Sequence, residues 1–245
     1  MRLRSTVVTL LAVTLLLSGC GGNKKDGSST TDTTAAGGNA TTTTVDPAIV
    51  AADRAFGQQA VLVQSDVPAG WTASAPQPET AASVTAADLL NGCVGLPKTA
   101  EIRIMKVSGN QFKNGNNSIN SDVRSLKTAK LVQQDVAAMT NSKNFTCIAN
   151  VIDAQLSSEV PDGRTSSTVN KLDGVASGDG QFALRVTTLV TMDGGGTTTA
   201  YSDILGMTNG RFEATVNVTY FGAPAPASFD KALLGAISRH MAAAR

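Results

Sequence analysis

QFALRVTTLVTMDGGGTTTAYSDILGMTNGRFEATVNVTYF, residues 181–221, decides the fold. Phe182, Leu184, Val186, Val190 and Met192 alternate with Gln181, Arg185, Thr187 and Thr191. Further on, Phe212, Ala214, Val216, Val218 and Tyr220 alternate with Arg211, Glu213, Thr215, Asn217 and Thr219. A period of two belongs to a strand with one face buried and the other wet. Asp193-Gly194-Gly195-Gly196 and Asn209-Gly210 tolerate positive φ, so both read as hairpin turns. Three antiparallel strands in a row are predicted, near residues 181, 198 and 211, with a weaker one over 165–172. Phe229, Leu233, Leu234, Ile237 and Met241 follow at helical spacing and predict a closing helix over the apolar sheet face.

Upstream, two strands are predicted over 102–112 and 118–126, joined by the polar Lys113-Asn114-Gly115-Asn116-Asn117. Thr128 reads as the cap of a helix to about Met139, and Phe145, Ile148, Ile152 and Leu156 place a second helix around Cys147. Asp46-Pro47 is a helix start, with Asp46 as N-cap and Pro47 in the first turn of a helix to about Gln59. A turn over Ser65–Trp71 and a short helix from Thr85 to Asn91, capped by Thr85, lead to Cys93. Strands in runs with segregated helices predict an α+β domain, an antiparallel β-sheet with helices packed on one face and one disulfide. Alternating βαβ units are missing, which disfavours a doubly wound nucleotide-binding fold.

The N-terminus is organised differently. Arg2 and Arg4 precede an apolar run from Ser5 to Leu17. That run falls short of the roughly 20 residues needed to cross a bilayer core of ~30 Å, so it reads as a signal peptide over 1–19. Leu17-Ser18-Gly19-Cys20 resembles the bacterial lipobox, which implies cleavage before Cys20 and a diacylglycerol on its sulfur. Two acyl chains matter, because each buried CH₂ contributes ~0.8 kcal/mol and a single chain holds only marginally. Residues 20–45 are rich in Gly, Ser and Thr and have no aromatic residue, so they read as a disordered tether. About 24 such residues have a root-mean-square reach of roughly 25–30 Å. Residues 46–245 then form a single extracytoplasmic domain.

The chain has 20 Lys and Arg against 19 Asp and Glu, and the leader takes away two arginines, so the mature protein is close to neutral. No basic face for a nucleic-acid partner follows from that balance. With Cys20 acylated, Cys93 and Cys147 are left as a candidate disulfide in an oxidising compartment. The bond closes a loop of about 54 residues, a gain of roughly 4 kcal/mol by chain entropy. The single histidine, His240, leaves too few ligands for structural zinc, and no metal or cofactor is expected.

No catalytic set stands out. His240 lies near the apolar stripe of the last helix with no nucleophile placed beside it, which favours a structural role. Asp193 and its glycines lack the Lys-Ser/Thr of a phosphate loop. One Trp, two Tyr and seven Phe argue against an extended sugar-stacking platform. The stretch Asp66, Pro68, Gly70 and Trp71 is the candidate binding feature, since a turn can present an amphipathic Trp at a cleft mouth. The alternative is that Trp71 packs over the core edge and Gly70 merely permits the turn.

The lipobox, the Thr/Ser tether, the Asp66–Trp71 turn and two cysteines flanking a hairpin-helix unit together resemble the secreted lipoproteins of mycobacteria and related actinobacteria. Within these, the layout is similar to the sensor-like extracellular domain of some mycobacterial serine/threonine kinases. That domain carries two disulfides, whereas only Cys93 and Cys147 are available here. The resemblance implies a cell-membrane lipoprotein on the outer face. Its expected role is non-enzymatic binding or sensing of a small molecule, lipid or envelope protein. The alternative is a lipid carrier holding an acyl chain between sheet and helices, which requires a continuous apolar cavity.

Overall fold

A computed structural model of the chain describes residues 45–160 and 163–244. The signal peptide, Cys20 and the tether up to residue 44 lie outside the described residues. In chain order the elements are α1 (Pro47–Ala60), β1 (Thr72–Ser74), α2 (Ala81–Cys93), α3 (Thr99–Ile102), β2 (Arg103–Ser108), β3 (Gln111–Asn114) and β4 (Asn117–Leu126). Then follow α4 (Ala129–Thr140), α5 (Phe145–Glu159), β5 (Gly163–Lys171), β6 (Gln181–Met192), β7 (Thr197–Asn209), β8 (Phe212–Phe221) and α6 (Ala227–Ala243). The strands form one antiparallel sheet in the order β1-β3-β4-β8-β7-β6-β5, with β2 also on β4.

Local signals set most of these elements. The Asp46 side chain accepts from the Ala48 N–H at 2.8 Å with Pro47 behind it, and the Thr128 hydroxyl accepts from the Leu131 N–H at 3.2 Å. The two C-terminal hairpins form where expected, with Thr191 opposite Thr197 and Asn209 opposite Phe212, the second turning on Gly210 at φ +60° and Arg211.

Three features differ from the sequence expectation. Helix α2 begins at Ala81, not near Thr85, because Thr80 and Ser83 cap each other reciprocally: the Ser83 N–H donates to the Thr80 hydroxyl and the Thr80 N–H to the Ser83 hydroxyl. The strand expected over 102–112 is two strands, β2 and β3, interrupted at Gly109-Asn110. The Gly109 N–H donates to the Ser121 carbonyl at 2.8 Å, and a side chain at 109 would meet the Ser121 hydroxyl at 2.6 Å and Val61 at 2.9 Å. Finally, a short edge strand, β1, forms just after Trp71 by pairing with β3.

Helices α1 and α6 form the expected layer on one face. Their core joins Leu62, Leu233, Ile237 and Met241 to Phe112, Ile119, Val123, Leu205, Val216 and Val218 of the sheet, all essentially without solvent contact. The other face is also covered in part. Over β5–β7, Val169, Leu184, Val186 and Ile204 pack under Ile148, Ile152 and Leu156 of α5, Met139 of α4 and Leu90 of α2. Helix α2 packs mainly on α5 and α3 and reaches the cluster over the sheet through Leu90. The Cys93–Cys147 disulfide, Cα atoms 5.9 Å apart, joins α2 to α5.

Candidate binding face

The Asp66–Trp71 turn is held against α6. Its Asp66 carboxylate accepts from the Val63 N–H at 2.8 Å and lies 3.4 Å from His240 Nε2. His240 Nδ1 is 2.9 Å from the Val61 carbonyl oxygen, so both ring nitrogens are engaged and the imidazole latches α6 to the end of α1. Gly70 adopts φ +92°, and Pro68 is exposed. Trp71 is only 7% exposed, stacked on Phe229 at 5.8 Å and edge-on to Tyr220 at 6.2 Å. His240 and Phe229 stand roughly 16 Å apart along α6, so Asp66 and Trp71 face opposite parts of one helix.

Beside this aromatic cluster, Arg185 Nε and Nη2 each donate to an Asp203 carboxylate oxygen at 2.6 Å. Asp230 of α6 is fully buried against the pair, with the nearest Arg185 nitrogen 3.9 Å away. Among the described residues neither Asp230 oxygen has a hydrogen-bond donor in place. Burial, and then the neighbouring Asp203 carboxylate, push the Asp230 carboxyl up to about 7 against the pull of Arg185.

The most unusual surface lies on the opposite side of the sheet. There β4 and β8 pair Ser118 with Thr219, Asn120 with Asn217, and Asp122 with Thr215. Ser202 of β7 continues the first row beside Thr219, and Gln111 of β3, turned away from the core-facing Phe112, continues the second beside Asn120. A patch of hydroxyls and amides therefore spans four adjacent strands. The second row turns apolar at Ile204 of β7 and Leu184 of β6, and the first at Val186 of β6. Gly206 marks the border: the Phe182 ring lies where a Cβ at 206 would stand, 2.1 Å from that position.

These residues lose nearly all solvent contact; Asn217 is 6% exposed, Thr215 7% and Gln111 2%. Helix α4 packs on this side of β4 and β8. It does so at the end where Arg124 pairs with Asp135 of α4 and, at 3.0 Å, with Glu213. The polar rows thus form a buried polar patch, with α4 across one end and the α5-covered apolar strands along one side. Its ionised groups are matched internally, Lys106 with Asp122 at 3.0 Å and Arg124 with Asp135 and Glu213. Burial pushes the Glu213 carboxyl up, opposed by Arg124.

Sequence reading took Thr215, Asn217 and Thr219 for the wet side of an amphipathic strand. Only the pairing of β4 with β8, elements far apart in the chain, concentrates the polar positions into one enclosed surface. The local signal was present in both strands, but nothing in either showed that they are neighbours. Among the described residues, no group of three or more His, Cys, Asp or Glu side chains is placed to hold a metal ion.

No family model matches the chain, and no curated protein sequence matches it. Among solved structures it is similar to the crystal structure of the extracellular domain of PknH from Mycobacterium tuberculosis. The likeness covers 75% of this chain and 95% of that chain at 11% identity and a TM-score of 0.39, too loose to carry a role from one to the other.

Proposed function

We propose that this chain is a membrane-anchored extracytoplasmic lipoprotein whose folded part is a non-enzymatic ligand-binding or sensing domain. The observation that carries the reading is the polar patch over β3, β4, β8 and β7, a concentration of buried hydrogen-bonding groups in the middle of a sheet face. Buried polar groups are costly unless partnered, and the Gln111 Oε1 in this patch has no hydrogen-bond partner among the described residues. A lipid on Cys20 and the tether behind it hold the domain outside the membrane and let it reorient. The lipid-carrier reading fares less well, since the space between sheet and α1/α6 is filled by Leu62, Phe112, Leu233 and Met241.

Two measurements on the full chain test this. Cys20→Ala is expected to move the protein from the membrane fraction to the medium with its fold intact; retention on membranes contradicts the anchor. Native mass spectrometry of protein purified from its own envelope is expected to show a small polar molecule that is lost on Asn217→Leu. A bound acyl lipid instead would favour the carrier.

A further inference from the structure

We propose that the first turn of α6 is a proton-held clasp. A proton shared by Asp230 and Asp203 keeps the turn docked on the sheet, and its loss to solvent lets Phe229 lift away from Trp71 and Tyr220. This goes beyond the reading of the polar patch as a binding feature and does not depend on it.

Asp230 differs from the other buried acids among the described residues. Asp53 is paired with Arg211, Asp122 with Lys106, Asp135 and Glu213 with Arg124, and Asp203 with Arg185, each in direct contact. Asp230 is fully buried, its nearest cationic nitrogen is Arg185 Nη2 at 3.9 Å, and neither of its oxygens receives a hydrogen bond. Arg185 is already committed. Its Nε and Nη2 donate to Asp203 at 2.6 Å, and Nη2 also reaches the Ala225 carbonyl at 3.3 Å. Two carboxylates around one guanidinium leave a negative charge unbalanced away from solvent. A proton on Asp230 removes it, and the O–H donates to Asp203. That neighbour, after burial itself, is what pushes the Asp230 carboxyl up.

The charged and titratable groups around Asp230 are few. Strand β6 contributes Arg185, β7 contributes Asp203 and Tyr201, and β8 contributes Tyr220, while residues 222–226 carry none. Helix α1 and the turn at Asp66 also pack on α6, but Asp53 is held by Arg211, Arg54 is exposed and Asp66 meets His240. On α6 itself Lys231 is exposed, and Arg239 and His240 lie roughly 13–15 Å further along.

Ionisation is relieved most cheaply at the helix start. Asp230 lies in the first turn, Pro226 makes no side-chain cap, and Pro224, Pro226, Ala227 and Ser228 are exposed. Ala225 is the buried point before the turn, and its carbonyl bond runs to the same guanidinium. Further along, Leu233, Leu234, Ile237 and Met241 sit in the core, and His240 ties the helix to Val61. Lifting the first turn therefore hydrates the carboxylate and leaves most of α6 in place. A negative charge in that turn is also favoured by the helix N-terminus.

The test is amide exchange on the full chain from pH 4 to 8, corrected for the pH dependence of the intrinsic rate. The opening constant of the amides from Phe229 to Leu233 is expected to exceed that of β7 and β8 throughout. It should rise about tenfold per pH unit between about 4 and 7 and then level off, the linkage of one proton held to about 7. Asp230→Asn keeps the shape, and its amide donates to Asp203 in the proton's place, so the slope should vanish. His240→Gln removes the imidazole that titrates near neutrality and should leave the slope unchanged. Carbon-13 NMR of the aspartate carboxyls reads the unmodified chain directly, with one carboxyl expected to titrate near 7.

A flat opening constant in the unmodified chain, or a slope that survives Asp230→Asn, overturns the proposal. First-turn amides that exchange no faster than those of β7 and β8 open only with the whole domain, and overturn the clasp. So does an NMR titration in which every aspartate stays in the ordinary carboxylate range.

Discussion

Asp230 is enclosed by α6, the Arg185–Asp203 pair and the cluster of Trp71, Tyr220 and Phe229, whose rings meet at about 6 Å. Its charge also raises the Tyr220 hydroxyl, after burial. With its carboxyl pushed up to about 7 from an ordinary 3.8, the folded protein keeps a proton through that window which the unfolded chain releases. Stability should therefore fall as pH rises from about 4 to 7 and level off above it, where the full cost of the buried charge is present. Asp230→Asn keeps the shape and removes the charge. It is expected to flatten that slope and to stabilise the protein at pH 8 by about 2–4 kcal/mol. Chemical denaturation of both forms across this range measures it, and parallel pH profiles would reject the assignment. His240, the residue that titration near neutrality first brings to mind, serves here as a link between Val61 and Asp66.

Capping separates the elements that were legible locally from those that were not. Asp46 and Thr128 precede runs with clear helical periodicity, and both cap as expected. Thr80 precedes Ala81 and Ala82, which carry no periodic signal, so Thr85 was the more visible candidate. In the structure the Thr85 hydroxyl bonds back to the Ala81 carbonyl inside the helix. Thr80→Ala should cost about 1 kcal/mol and Thr85→Ala less than about 0.5 kcal/mol, as read from urea midpoints. Equal effects would place the helix start where the sequence put it. The break between β2 and β3 has another origin. Gly109 is needed because Ser121 and Val61 press on it, and both arrive from other parts of the chain. The candidate binding face was hidden for the same reason, since alternation assigns a residue to a face but does not say what lies beside or above it. The Asp66–Trp71 turn was visible as a turn, while its contacts with Phe229 and His240 depend on where α6 docks.

At the level of the whole molecule, α2 is joined to the rest chiefly through α5 and the Cys93–Cys147 bond. The bond spans 54 residues, a loop that contains β2, β3, β4 and α4. Replacing both cysteines with Ala should lower stability by roughly 4 kcal/mol on the chain-entropy account. Amide exchange should rise first in α2, which the bond ties to α5, while the central strands stay protected. Exchange rising uniformly across the sheet would contradict this division. Sequence alone determined the strand alternation, the hairpin turns, two helix caps, the cysteine pair and the amphipathic closing helix, because each depends on contacts within a few residues or on a count. Tertiary structure alone decided that β4 lies beside β8, that a second layer of helices covers β5–β7, and that three amides line up on a buried floor. Those outcomes depend on which distant segments become neighbours, and that choice is made by burial summed over the whole sheet.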